Sequence, residues 1–150
     1  MKKIILLLGV SCLAFSCQQK TSDNNSHTSS DSAAVNAVLD SLNMTAARAD
    51  FKAYFNLYAD ESVFTGTDAT ERWNKKAFMD FAKPYFDRGK AWNFSSLKRN
   101  IYFDESNKYA WFDELLDTQM KLCRGSGVLV KTKNGWKLKQ YILSATVPND

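Results

Sequence analysis

The stretch RGSGVLVKTKNGWKLKQYILS, residues Arg124–Ser144, sets the architecture of the chain. At its centre Asn134-Gly135 is the strongest hairpin signal present, with strand-forming residues on both sides. A strict two-residue loop there would put Val128 and Val130 on one face with Lys137 and Lys139, mixing apolar and charged side chains. A three-residue loop, Lys133-Asn134-Gly135 with a glycine bulge, instead gathers Val128, Val130, Leu138 and Ile142 on one face. Lys131, Lys137 and Lys139 then share the other. The second register separates the two kinds of side chain and is preferred.

Working outward, Asn93–Phe103, Lys108–Asp117, Met120–Lys131 and Trp136–Val147 read as four strands, with a turn over Asp104 to Asn107. Before Trp92 the period is helical. Val35, Val38, Leu39 and Leu42 predict a first helix over Ser32–Leu42, and Phe51, Tyr54, Phe55 and Tyr58 a second over Thr45–Ala59. Val63-Phe64-Thr65 is a short strand. Phe78, Phe81, Ala82 and Tyr85 mark a third helix, with Asn74 as N-cap, Pro84 weakening its last turn and Gly89 as its stop. Three helices followed by four longer strands make an α+β domain, its helices on one face of a curved antiparallel sheet.

The N-terminus is of another kind. Lys2 and Lys3 precede an apolar run from Ile4 to Phe15, too short for the about 20 apolar residues that cross a bilayer. The run ends Leu13-Ala14-Phe15-Ser16-Cys17, which resembles the lipobox of bacterial lipoproteins despite the bulky Phe15. That resemblance implies a signal peptide over residues 1–16, lipidation at Cys17, and anchoring in the cell envelope without spanning. A plainly secreted chain is the alternative. Residues 17–30, polar and rich in Ser, Thr, Asn and Gln, read as a flexible tether, and residues 31–150 as one domain. Of three cysteines only Cys123 would remain free, so the processed chain can form no internal disulfide.

Composition narrows the chemistry. The 150 residues are 45% hydrophobic and 24% charged, which excludes wholesale disorder. A net charge of +4 falls by two once Lys2 and Lys3 are removed, too little to argue for nucleic acid. The one histidine, His27, lies in the tether, so a histidine base, a Ser-His-Asp site and a His-ligated zinc have no residue to serve them in the domain. No phosphate loop, metal-ligand motif or nucleophile elbow appears, and no cofactor is implied. Aromatic residues reach 13%, which calls for a large core or a ring-lined cavity.

The order helix, helix, short strand, helix, strands resembles the SnoaL-like, or nuclear-transport-factor-2-like, superfamily. The stretches Gly66–Trp73, Ala110–Glu114, Arg124–Leu129 and Asn134–Leu138 are similar to an exported bacterial branch of it. The resemblance implies a cone-shaped domain with a deep pocket between helices and sheet, dimerising through the outer sheet face. Many relatives carry histidine on the last strand, where this chain has Ile142.

With the preferred register, and with Thr118-Gln119 as a two-residue turn, the pocket face would hold Trp111, an Asp113–Arg124 pair and Gln140. Trp73 is added as a possible stacking wall, and Phe55 and Tyr58 as the roof. Phe112, Leu129, Tyr141 and Leu143 would face outward as a homodimer seam, with Glu114 beside them. An Arg beside Asp113 suits anchoring of an anion better than proton abstraction, though a plain cross-strand ion pair worth about 0.2–1 kcal/mol fits equally. Three readings follow. The first is a lipid-anchored domain binding a small, partly apolar, anionic ligand without evident catalysis. The second is an isomerase or lyase using Asp113, and the third a non-catalytic envelope interaction module.

Overall fold

The computed structural model describes residues 23–149, with side chains from Ser29 onward. The signal peptide, Cys17 and the start of the tether lie outside the described residues. The first helix, α1, spans Asp23–Ala47 and is longer at both ends than the spacing predicts, so its first turns occupy part of the stretch read as tether. Val35, Leu39, Leu42 and Ala46 form its buried stripe. No helix among the described residues is long and apolar enough to cross a membrane.

The expected helix Thr45–Ala59 is divided. Its start belongs to α1. Ala49 then takes a left-handed φ of 53°, and Asp50 caps a short α2, Phe51–Asn56, by accepting from the Ala53 amide at 3.0 Å. Tyr58 opens a strand, β1 (Tyr58–Thr65), which is longer than the expected Val63–Thr65. The helical spacing runs on through Tyr58 because that ring stays in the same buried aromatic cluster while its backbone turns extended. A short β2, Arg72–Asn74, was not foreseen. Asn74 caps α3 (Lys75–Asp87) as expected, accepting from the Ala77 amide at 2.9 Å, and α3 carries Pro84 within it.

The long strands are β3 (Phe94–Phe103), β4 (Tyr109–Thr118), β5 (Lys121–Thr132) and β6 (Gly135–Ala145). They complete a curved, open sheet in the order β2-β1-β6-β5-β4-β3. The sheet is mixed rather than antiparallel, because β1 runs parallel to β6. The β5–β6 hairpin reverses over Lys133-Asn134, with Thr132 opposite Gly135 at φ 93°. A register shift between Val128 and Leu129 then pairs Val128 with Gln140, Ser126 with Ile142 and Arg124 with Ser144. Those are the partners of the preferred register, reached through a bulge in the strand rather than at the loop.

Leu138 is buried on the helix side as expected, but in β4, β5 and residues 140–144 the sidedness is the reverse of the expectation. Phe112, Leu116, Leu129, Tyr141 and Leu143 point to the helices and are buried, as are Cys123 and Glu114. None of the four residues read as a dimer seam is on the solvent face. The opposite face carries Trp111, Asp113, Arg124, Val128, Gln140 and Ile142.

Candidate functional site

Between the helices and the sheet lies a cavity of about 270 Å³. α1 contributes Leu42 and Asn43 to it, and α2 gives Tyr54. From α3 come Phe78, Phe81 and Tyr85. The β1–β2 edge supplies Phe64, Glu71 and Trp73, with Trp92 and Phe94 following α3. The far wall is Tyr141 and Leu143 of β6, with Gln119 and Met120 of the β4–β5 turn. Its chemistry is mostly ring surface. Trp73 stacks on Phe81 with centroids 4.4 Å apart, and Phe64 on Phe78 at 4.0 Å.

Two hydroxyl-bearing rings, Tyr54 and Tyr141, reach the cavity from the core. The Tyr54 hydroxyl lies 3.0 Å from that of Tyr58. Burial pushes all three phenols well above their ordinary range, and the Glu114 carboxylate raises Tyr141 further. They remain neutral hydrogen-bonding groups near neutral pH. Among the described residues no lysine, arginine or histidine lines the cavity, and its only carboxylate is Glu71.

Only Trp73 of the six residues predicted for ligand binding lines this cavity. Tyr58 is buried behind Tyr54, and Phe55 packs beside it, so neither forms a roof. Trp111, Asp113, Arg124 and Gln140 come together on the far side of the sheet. There Trp111 stacks on Tyr102 at 5.9 Å with nearly half its surface in solvent. The β4–β5 turn is over Gln119-Met120, one residue later than expected. Asp113 therefore faces Ser126, and Arg124 reaches it diagonally at 3.8 Å, both partly exposed. The Asn100 amide also donates to Asp113 at 3.0 Å. That is a solvated ion pair worth little, and neither a base nor an anion anchor for the cavity. The anionic preference rested on Arg124 and goes with it.

Sequence reasoning missed Tyr54, Tyr141, Trp92 and Glu71. A signal for the correct face was present: Gly125 and Gly127 share a face with Leu129, and glycine in a strand marks close approach. A Cβ on Gly125 would lie 2.6 Å from the Tyr141 hydroxyl, and one on Gly127 3.0 Å from the Phe112 ring.

Among the described residues no cluster of three or more His, Cys, Asp or Glu could hold a metal ion. Cys123 is buried in the core, its sulfur 3.5 Å from the Thr118 hydroxyl, which fits a packing residue. Glu114, expected outside, is fully buried under α1. Arg99 Nε donates to its Oε2 at 2.9 Å, and Arg99 Nη1 donates to Asp40 at 2.8 Å and to Asn36 at 3.0 Å. This network ties the sheet to α1.

An open sheet carrying three helices over a ring-lined cone is the architecture of nuclear-transport-factor-2-like domains. Residues 35–148 match the SnoaL-like domain family, and the chain belongs to it. Solved structures share the fold at low identity. One is an NTF2-like protein of unknown function from Pseudomonas putida KT2440, 13% identical, covering 81% of this chain and 89% of that one, with a TM-score of 0.66. Another, described as a candidate dehydratase of the NTF2-like family from Streptomyces avermitilis, is 14% identical over 81% and 99%, with a TM-score of 0.67. A candidate scytalone dehydratase from Novosphingobium aromaticivorans DSM 12444 is 12% identical over 82% and 89%, with a TM-score of 0.69. A comparison with curated proteins finds no match.

Proposed function

We propose that the chain is an exported, Cys17-anchored SnoaL-like domain that binds a small, largely apolar molecule in its cone. One observation carries this reading: the fold leaves a cavity of about 270 Å³ open where rings from α2, α3 and the sheet, with Leu42 of α1, could have closed it. Deeply buried tyrosine hydroxyls supply the few polar contacts that orient a ligand. Catalysis by Asp113 has no support, since its carboxylate faces away from the cavity. Two of the structural neighbours are described as candidate dehydratases, but an enzyme built on this cone would have to work with Glu71 and neutral phenols.

Dimerisation is part of the proposal, through the outer face that carries Trp111, Val128 and Ile142 rather than through the residues named from sequence. Tyr102 and Trp111 are each about half exposed there, a surface that a second copy would cover.

The test is native mass spectrometry of the full-length chain, before and after gentle denaturation. A small-molecule mass that leaves on denaturation, and is lost in Trp73→Ala, is the expected result. A clean protein mass, together with no change in Trp73 or Trp92 signals on screening apolar compounds, refutes ligand binding and favours the interaction module.

A further inference from the structure

We infer that the cone takes an organic cation, a head of the alkylated-ammonium class, held between aromatic ring faces and Glu71. This rests on the cavity being a ligand site and names the class of ligand. The rings run around one side of the cavity in sequence: Trp73 on Phe81 at 4.4 Å, Phe81 on Tyr85 at 5.5 Å, and Tyr85 on Trp92 at 6.5 Å. Ring faces are electronegative and attract a cation lying over them, most strongly where water is excluded.

The charge in the lining points the same way. Among the described residues Glu71 is its only carboxylate, no basic side chain shares the cavity, and no ion pair uses Glu71. Among the described residues its carboxylate accepts one hydrogen bond, from the Asp68 amide, long at 3.3 Å. The carboxylate is seated over Gly66, where a Cβ would come within 2.1 Å of Oε2, so the absence of a side chain at residue 66 is what lets it lie there. An uncharged ligand would cover this carboxylate without compensating it. An anion would meet Glu71 and aromatic surface with no positive partner among the described lining residues. A cation satisfies both features at once.

The experiment follows the indole N–H signals of Trp73 and Trp92 in the isotope-labelled full-length chain. It titrates three probes of one shape: choline, its uncharged carbon isostere 3,3-dimethylbutan-1-ol, and the anion 3,3-dimethylbutanoate. The expected result is that choline binds about tenfold or more tightly than the alcohol, and the anion most weakly. Glu71→Gln should remove most of choline's advantage and leave the alcohol's affinity unchanged, which also shows the variant is folded. An alcohol that binds as tightly as choline overturns the cation class while leaving the cavity a ligand site. Signals that move with none of the three overturn the cation class as well, and the native mass spectrum then judges the ligand site separately.

Discussion

Arg99→Met should damage this domain more than Glu114→Met, although both variants break the same ion pair. Glu114 is fully buried, and its ion-pair partner among the described residues is Arg99, which meets Oε2 from Nε and Nη2 at 2.9 Å each; Oε1 has no hydrogen-bond partner. Removing Arg99 strands a carboxylate in the core, a change that costs about 3–5 kcal/mol. Removing Glu114 leaves Arg99 held by Asp40 and Asn36 at the rim of α1, with Asp40 itself largely in solvent. The loss is then that of one charged hydrogen bond, about 1.5–3 kcal/mol. The double variant should recover most of the Arg99→Met loss, because apolar replacement of a buried pair is often close to neutral. Domains of this kind hold only about 5–15 kcal/mol in total, so the differences will be plain in urea midpoints followed by far-UV circular dichroism at constant slope. Equal losses in the two single variants, or a double variant as poor as their sum, would refute the dependence of Glu114 on Arg99.

Gly127→Ala should cost more than Gly125→Ala in thermal unfolding. A Cβ at 127 lands 2.1 Å from the Gln140 carbonyl oxygen, so backbone must move, whereas at 125 its nearest atoms are all side chain, the Tyr141 hydroxyl at 2.6 Å with Glu114 and Leu116 carbons at 3.1 and 3.2 Å; the first should lose about 1–3 kcal/mol. The raised phenols of Tyr54, Tyr58 and Tyr141 favour the folded state fully below the unfolded pKa of about 10. That stability is lost as pH rises above it, by about 1.4 kcal/mol per pH unit for each phenol. Absorbance at 295 nm should therefore show three phenols ionising together with alkaline unfolding, and early ionisation of all six would contradict their burial. Trp111→Arg should convert a dimer to a monomer in sedimentation without changing probe binding in the cone. An unchanged sedimentation coefficient would remove the outer face as the seam.

The elements were legible where one local force set them. Asn74 before an amphipathic run makes a cap, and Asp104 accepts from the amides of Ser106, Lys108 and Tyr109 to close the β3–β4 turn. The partners of Arg124, Ser126 and Val128 on β6 were legible too, because a one-residue slip there mixes lysines with valines. What failed needed long-range contacts. The parallel pairing of β1 with β6 joins residues some eighty apart, and no spacing within Tyr58–Thr65 announces it. The end of the second helix failed for a related reason, since Tyr58 keeps its contacts to Tyr54 and Phe55 and is also packed by Phe78 of α3, so its ring stays buried after its backbone has turned extended.

The site failed on parity. In β4 both alternating sets look like an inner face: Trp111, Asp113 and Leu115 against Phe112, Glu114 and Leu116. A carboxylate in each set cancels the usual cue, because a buried acid is as unfavourable on one face as the other until its partner is known. Arg99 decides it. It lies directly opposite Glu114 on β3 and reaches α1 beyond, so the acid with the better-buried partner turns inward and the acid paired in water turns out. The glycines at 125 and 127 then follow as room for Tyr141 and Phe112 rather than as turn residues. With that face inward, Tyr141 swings from the supposed seam to the wall of the cone, and Arg124 leaves the site. The same single choice that buries Glu114 therefore keeps Arg124 out of the cavity, which among the described residues has Glu71 and no basic side chain.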